Sequence, residues 1–226
     1  MNSRKGMVFL FDCDNTLLDN DAVHDDLDAR LGRLFGREDG ARYWRIFEEL
    51  RTTLGYADYL GALQRFRLEL HEDPRVLDLS AFLLDYPFAK RLYPAALDAV
   101  EHCRAWGQTV VLSDGDAVFQ PRKLVASGIW EAVEGRVLIY VHKERMLDDM
   151  ERRFPARRYV LVDDKLRLLA SVKSVLADKV FTVFPRQGHY ARDVAGNTSL
   201  PPADLNIEHI GDLVTYDFSQ VTGEPE

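Results

Sequence analysis

The chain has 226 residues and a mass of 25.9 kDa, enough for one large domain or one domain with a sizeable insertion. Its net charge of −8, from 37 acidic against 29 basic residues, argues against a nucleic-acid or anionic-membrane surface. No apolar run approaches the roughly 20 residues of a membrane helix. Two cysteines, Cys13 and Cys103, give neither a disulfide framework nor metal-ligand spacing, so a reducing cytoplasm is the expected setting.

Arg4 and Lys5 precede an apolar run, but Met7 to Phe11 is shorter than the roughly 7–15 apolar residues of a secretory signal. Those five residues read instead as a buried strand running straight into Asp12-Cys13-Asp14-Asn15-Thr16. At a strand exit, side chains two apart point the same way, so Asp12 and Asp14 share a site. Two carboxylates so placed suit one nucleophile and one proton carrier. An Asp-dense stretch, Asp19 to Asp28, reads as a solvated hinge and a helix start favoured by the helix dipole. Apolar residues at helical spacing then predict helices near Ala22–Phe35, Ala41–Leu54, Ala57–Leu70 and Val76–Leu84, punctuated by Gly36, Gly40, Gly55 and Pro74.

The texture changes at Tyr86-Pro87. Helices at Pro94–Trp106, Pro121–Ala126, Lys143–Phe154 and Leu166–Leu176 alternate with strands at Thr109–Leu112, Val137–Tyr140, Tyr159–Val162 and Val180–Phe184. That alternation predicts an α/β fold, a Rossmann-like parallel sheet covered by helices on both faces. An all-helical domain, residues 20–85, interrupts a core made of 1–19 and 86–226. Arg186 to Asn206 lacks periodicity and reads as a long loop before a terminal helix or strand, and Thr222 to Glu226 as a loose tail.

Each core strand ends in reactive or charged residues: Asp12 and Asp14, then Ser113-Asp114-Gly115, His142-Lys143 and Asp163-Asp164. In a parallel sheet these ends lie on one edge, where open α/β sheets bind ligands, so four distant clusters are expected to converge. The pattern resembles the haloacid dehalogenase-like hydrolase superfamily. Asp12-Cys13-Asp14-Asn15-Thr16 matches its first motif, Ser113 its second, Lys143 its third and the Asp163-Asp164 pair its fourth. The helical insertion after the first motif stands where that family places a cap. The departures are Lys143 without a following Pro, Asp114 where Asn is common, and Lys165 where a small polar residue is commoner.

The resemblance implies phosphoryl transfer from a small phosphate ester through an aspartyl-phosphate. Asp12, ionised at neutral pH, attacks phosphorus without a partner base. Asp14 protonates the leaving oxygen and later takes a proton from water, which calls for a carboxyl pKa raised by neighbouring acids. Bare carboxylates crowded together repel by about 4 kcal/mol per pair at 4 Å and an effective dielectric near 20, and a hard cation, Mg²⁺, resolves this. The resemblance makes the carboxylates of Asp12 and Asp164 and the Asp14 carbonyl its ligands, with Asp163 a ligand or an outer neighbour. Thr16, Ser113, the N–H groups of Asp114 and Gly115, and Lys143 are then expected to hold the substrate.

Simpler readings stand beside these. A calcium loop fails because Leu17 and Val23 stand where it needs Gly and Glu. Asp163-Asp164 also suit a helix cap, Cys13 a packed small side chain, and His24, His71 and His102 solvated or satisfied helix positions. His189 is a candidate for the pocket mouth. In the insertion, Tyr43, Trp44, Tyr56, Tyr59 and Phe66 read as packing, and Arg45, Arg51 and Arg65 as solvated faces before substrate contacts. Alternatives to the phosphatase are a sugar-phosphate mutase or other phosphotransferase, a 2-haloacid dehalogenase, and a non-catalytic regulatory module. The oligomeric state is open.

Overall fold

The computed structural model describes residues 6–71, 73–193 and 198–221; the readings made above for Arg4, Lys5 and Thr222–Glu226 lie outside them. Six parallel strands form one sheet: β1 (Met7–Phe11), β2 (Gln108–Asp114), β3 (Val137–Tyr140), β4 (Arg158–Val162), β5 (Val180–Pro185) and β6 (Leu205–Ile207). Their spatial order is β3-β2-β1-β4-β5-β6, the doubly wound order of Rossmann-like sheets. β1 is central because all five of its residues are buried and tolerate helices on both faces. Met7, Phe9 and Phe11 pack on one face, with Val100 and Cys103 in the same core. Val8 and Leu10 pack on the other, with Leu169 and Val172.

Within the insertion after β1 the chain forms α1 (Asn20–Leu54), α2 (Tyr59–Glu69) and α3 (Arg75–Leu84), with no strand among the described residues. Asp19 caps α1 by accepting from the Ala22 N–H at 3.0 Å. Gly36, at φ +82° and ψ 175°, breaks the helical backbone and redirects the chain, where the sequence predicted two separate helices. Asp58 caps α2, and Gly55 ends α1 in the left-handed conformation. Tyr43, Tyr59 and Phe66 are buried among these helices. The segments leading in and out of the insertion are held together: Leu18 and Leu92 form an isolated antiparallel bridge. Asp19 N–H donates to the Arg91 carbonyl at 2.7 Å, and Tyr93 N–H to Leu17 at 3.0 Å.

The remaining helices are α4 (Ala96–Trp106), α5 (Phe119–Ser127), α6 (Ile129–Ala132), α7 (Leu147–Arg153), α8 (Leu166–Leu176) and α9 (Gly188–Arg192). Two expectations are corrected. The single helix from Lys143 is a short 3-10 turn, Lys143–Arg145, followed by α7. His142 sits at φ +60° there, and the Lys143 side chain is buried rather than solvated on a helix face. The segment 186–206 is not all loop: α9 and β6 lie at its two ends, each too short to carry a visible period.

Candidate active site

Because β2, β1 and β4 are neighbours, the exits of all three strands adjoin, and the turn after β3 reaches in beside them. Lys143, fully buried, donates to Asp12 Oδ1 and, at 3.1 Å, to the Leu112 carbonyl. Its Nζ also lies 2.6 Å from Asp163 Oδ2. One carboxylate oxygen from each of Asp12, Asp163 and Asp164 falls within 4.8 Å of the others. All three acids are buried. Burial lowers the Lys143 pKa, but the attraction of Asp12, Asp163 and Asp114 outweighs it and pushes the pKa up. Burial also raises the carboxyl pKa of Asp163, against the pull of Lys143. Asp164 is raised well above the usual range, first by burial and then by Asp163 and Asp12.

Asp164 is the telling residue. Both of its carboxylate oxygens are buried without a hydrogen-bond partner among the described residues. A native interior does not leave such groups unmatched without a reason. Three oxygen donors at this spacing, with no nitrogen or sulfur ligand among them, fit a hard divalent cation.

The other expected residues are distributed as follows. Ser113 is buried and accepts from Gln120 Nε2 at 3.0 Å. Asp114 Oδ1 accepts from the Lys143 N–H at 2.7 Å, which fixes the Lys143 turn. The Gly115 N–H donates to the Tyr140 carbonyl at 3.1 Å, so the substrate donor expected from it is already spent. Thr16, expected at the substrate, instead ties the site together: its hydroxyl lies 3.4 Å from Asp12 Oδ2 and accepts from the Asp164 N–H at 3.1 Å. Asp14 was expected among acids, and its contact is a cation. Lys123 Nζ donates to Asp14 Oδ1 at 2.7 Å.

Lys123 and Gln120 were not singled out in the sequence. They occupy buried positions on α5, beside Phe119, Leu124 and Ser127. Polar residues at core positions of an amphipathic helix are the signal that was there to read. Gln187 was also missed: it is buried, with its amide donating to the Thr16 carbonyl at 3.1 Å and accepting from Ile210 N–H. Asn15, at φ +60°, accepts from the N–H groups of Asn20 and Asp21 at 3.0 and 3.2 Å, sewing the first motif to the start of α1.

A cleft of about 330 Å³ opens over the site, with Asp14, Asp114, Lys165, Arg51, Tyr56 and Tyr190 on its walls. Arg51 and Tyr56 thus reach the cleft, whereas Arg45 and Arg65 are exposed and absent from its lining. Lys165 Nζ stands 5.2 Å from the Tyr190 ring centre. Burial would lower the Lys165 pKa, but Asp12 and Asp163 raise it. His189 lines a second, adjoining opening, and its Nδ1 lies 2.6 Å from Asp21 Oδ1.

No family model matches the chain, and no curated protein does. Solved structures do. One from Burkholderia xenovorans LB400, described as a haloacid dehalogenase-like hydrolase, is 63% identical over 93% of this chain and 98% of that one, with a TM-score of 0.87. L-2-haloacid dehalogenase from Xanthobacter autotrophicus shares the fold at 15% identity and TM-score 0.58, covering 92% of this chain and 96% of that one. A magnesium-bound HAD-hydrolase from Bacillus subtilis does so at 18% and 0.58, covering 92% and 97%.

Proposed function

Because this chain belongs to the haloacid dehalogenase-like hydrolases, we propose that it is a Mg²⁺-dependent phosphatase of a small phosphate monoester, working through an aspartyl-phosphate on Asp12. The observation that carries this reading is Asp164, a buried carboxylate whose two oxygens have no partner among the described residues and which stands beside Asp12 and Asp163. Transfer at phosphorus handles a dianionic group and so has a use for a cation held by acids. Displacement of halide from a 2-haloacid needs neither a cation nor a proton for its leaving group, and would leave Asp14 and Asp164 idle.

The residues divide the work by position. Asp12 and Asp164 would hold Mg²⁺ through their carboxylates and Asp14 through its carbonyl, with Asp163 beside them. When bound, the ion supplies positive charge that neutralises the acids and the phosphoryl oxygens. Lys143 fixes the orientation of Asp12 through its ammonium contact. Ser113 and the Asp114 N–H face the equatorial oxygens. In the first step an Asp12 oxygen bonds to phosphorus, the phosphorus–alcohol bond breaks, and the alcohol oxygen takes the proton of Asp14. In the second, water bonds to phosphorus, the Asp12 bond breaks, and a water proton passes to Asp14. The end of α1 and the loop after it, through Arg51 and Tyr56, wall the cleft, and closure of the insertion there would restrict bulk water. A cytoplasmic setting agrees with two buried free thiols, Cys13 and Cys103.

The test is hydrolysis of a panel of phosphate monoesters with and without Mg²⁺, alongside Asp12→Asn. Wild-type turnover that needs Mg²⁺ and drops by at least several powers of ten in the variant is expected. Release of chloride from 2-chloropropionate with no phosphate release from the panel would replace the phosphatase reading by the dehalogenase one.

A further inference from the structure

Lys123 is a lysine with only 1% of its side chain exposed, deep in the face that α5 turns toward the end of β1. Burying an ammonium is costly unless several partners share it. Its partners are specific. Nζ donates to Asp14 Oδ1 at 2.7 Å and to Asn20 Oδ1 at 3.0 Å, and it lies 5.7 Å from the Phe119 ring centre. Asn20, the first residue of α1, also stands 3.4 Å from the Tyr59 hydroxyl through Nδ2. The carboxylate of Asp14 is still 28% exposed, so one side is pinned while the group opens onto the cleft.

We propose that Lys123 is the positioning residue for Asp14: it pins one carboxylate oxygen so that the group faces the leaving oxygen, and it ties that aim to the root of the helical cap through Asn20. The inference deepens the phosphatase reading and rests on Asp14 being its proton carrier. A free Asp side chain at this loop would sample several rotamers. A single fixed donor, itself immobilised by core packing, selects one. Proton transfer demands that selection, because the acid must stand within hydrogen-bond reach of the oxygen it serves. The Asn20 contact adds that the ammonium sits fully partnered only while the start of α1 is docked against α5.

The experiment compares wild type, Lys123→Met and Lys123→Arg on two esters, by kcat/KM, which reports the steps up to alcohol release. An alkyl phosphate needs a proton on its leaving oxygen, whereas para-nitrophenolate departs as the anion. Lys123→Met is expected to lose about 100-fold on the alkyl ester and less than about threefold on the nitrophenyl ester, general-acid assistance being worth about 10²–10⁴. Lys123→Arg recovers at least part of the alkyl activity. Equal losses on both esters, or no loss on either, overturn the proposal. A crystal structure of Lys123→Met supplies an arm that is independent of activity. The Asp14 side chain is expected to leave its place while Asp12 and the backbone of residues 12–16 stay put. An Asp14 carboxylate unmoved in that variant overturns the proposal even if the wild type hydrolyses no phosphate ester, and that second result alone would remove the phosphatase reading.

Discussion

Replacing Asp164 by Asn keeps the shape of the side chain and removes its charge from a pocket that already holds Asp12 and Asp163. With carboxylate oxygens within 4.8 Å of one another, each like-charge contact costs roughly 3–4 kcal/mol at an effective dielectric near 20. Two such contacts exceed the alternative, which is to keep the acid protonated. Holding that proton from the ordinary carboxyl value of 3.8 up to neutral pH costs about 4 kcal/mol, so this figure caps the penalty. Lys143 and Lys165 reduce it. The metal-free Asp164→Asn protein is therefore expected to be more stable than wild type by about 1–4 kcal/mol at pH 7, a rise in Tm of roughly 3–12 °C for a chain of this size. The sign follows from linkage. The unfolded chain releases this proton in the ordinary carboxyl range and the folded chain holds it to higher pH, so wild-type stability falls as pH rises between the two values. The advantage of Asn accordingly vanishes by about pH 4. Added Mg²⁺ works the other way: at 100 times its dissociation constant it contributes about 2.7 kcal/mol to wild type and little to the variant, and at about 1,000 times about 4.1 kcal/mol, enough to cancel or reverse the order. Thermal denaturation in chelator and in Mg²⁺, at both pH values, reads all of this. An Asn variant less stable than wild type in chelator at pH 7, or equal Mg²⁺ shifts in the two proteins, would refute the reasoning.

Removing Lys143 has the opposite sign. Lys143→Met leaves Asp12 and Asp163 buried without their cation and is expected to cost about 3–5 kcal/mol in urea denaturation, together with turnover. Thr16→Val deletes the hydroxyl between Asp12 and the Asp164 N–H. About 1–3 kcal/mol of stability should go with it, read by the same titration, and Mg²⁺ affinity by calorimetry should weaken. At Gly188, φ is +68° and a Cβ would stand 2.5 Å from the Cβ of Asn15. Gly188→Ala is therefore expected to lose about 1–3 kcal/mol and to raise KM by shifting the first-motif loop, both measurable on purified protein.

The parallel sheet was legible because its strands are short apolar runs between helical periods, and β1 has no polar residue to place against water. The meeting of Asp12, Lys143 and the Asp163-Asp164 pair followed from the same topology, since parallel strands expose their carboxyl ends on one edge. Lys123 escaped notice because a helical lysine is ordinarily solvated; only the approach of α5 to the loop after β1 gives its ammonium a carboxylate to meet. The Gly115 N–H was misassigned because which amides a ladder consumes depends on register, and Asp114 pairing with Tyr140 directs that amide into the sheet. β6, three residues long, has too few positions to show alternation.

The bridge between Leu18 and Leu92 brings together two points of the chain that enclose the whole helical insertion. To the sheet, that excursion is a closed ring whose two ends are fastened to each other. The entropy of closing such a ring grows only as the logarithm of its length, each doubling adding about 0.6 kcal/mol. The architecture can therefore carry a short roof or a long one over the same catalytic floor at almost the same thermodynamic expense, and new selectivity can be grown there without retuning the sheet.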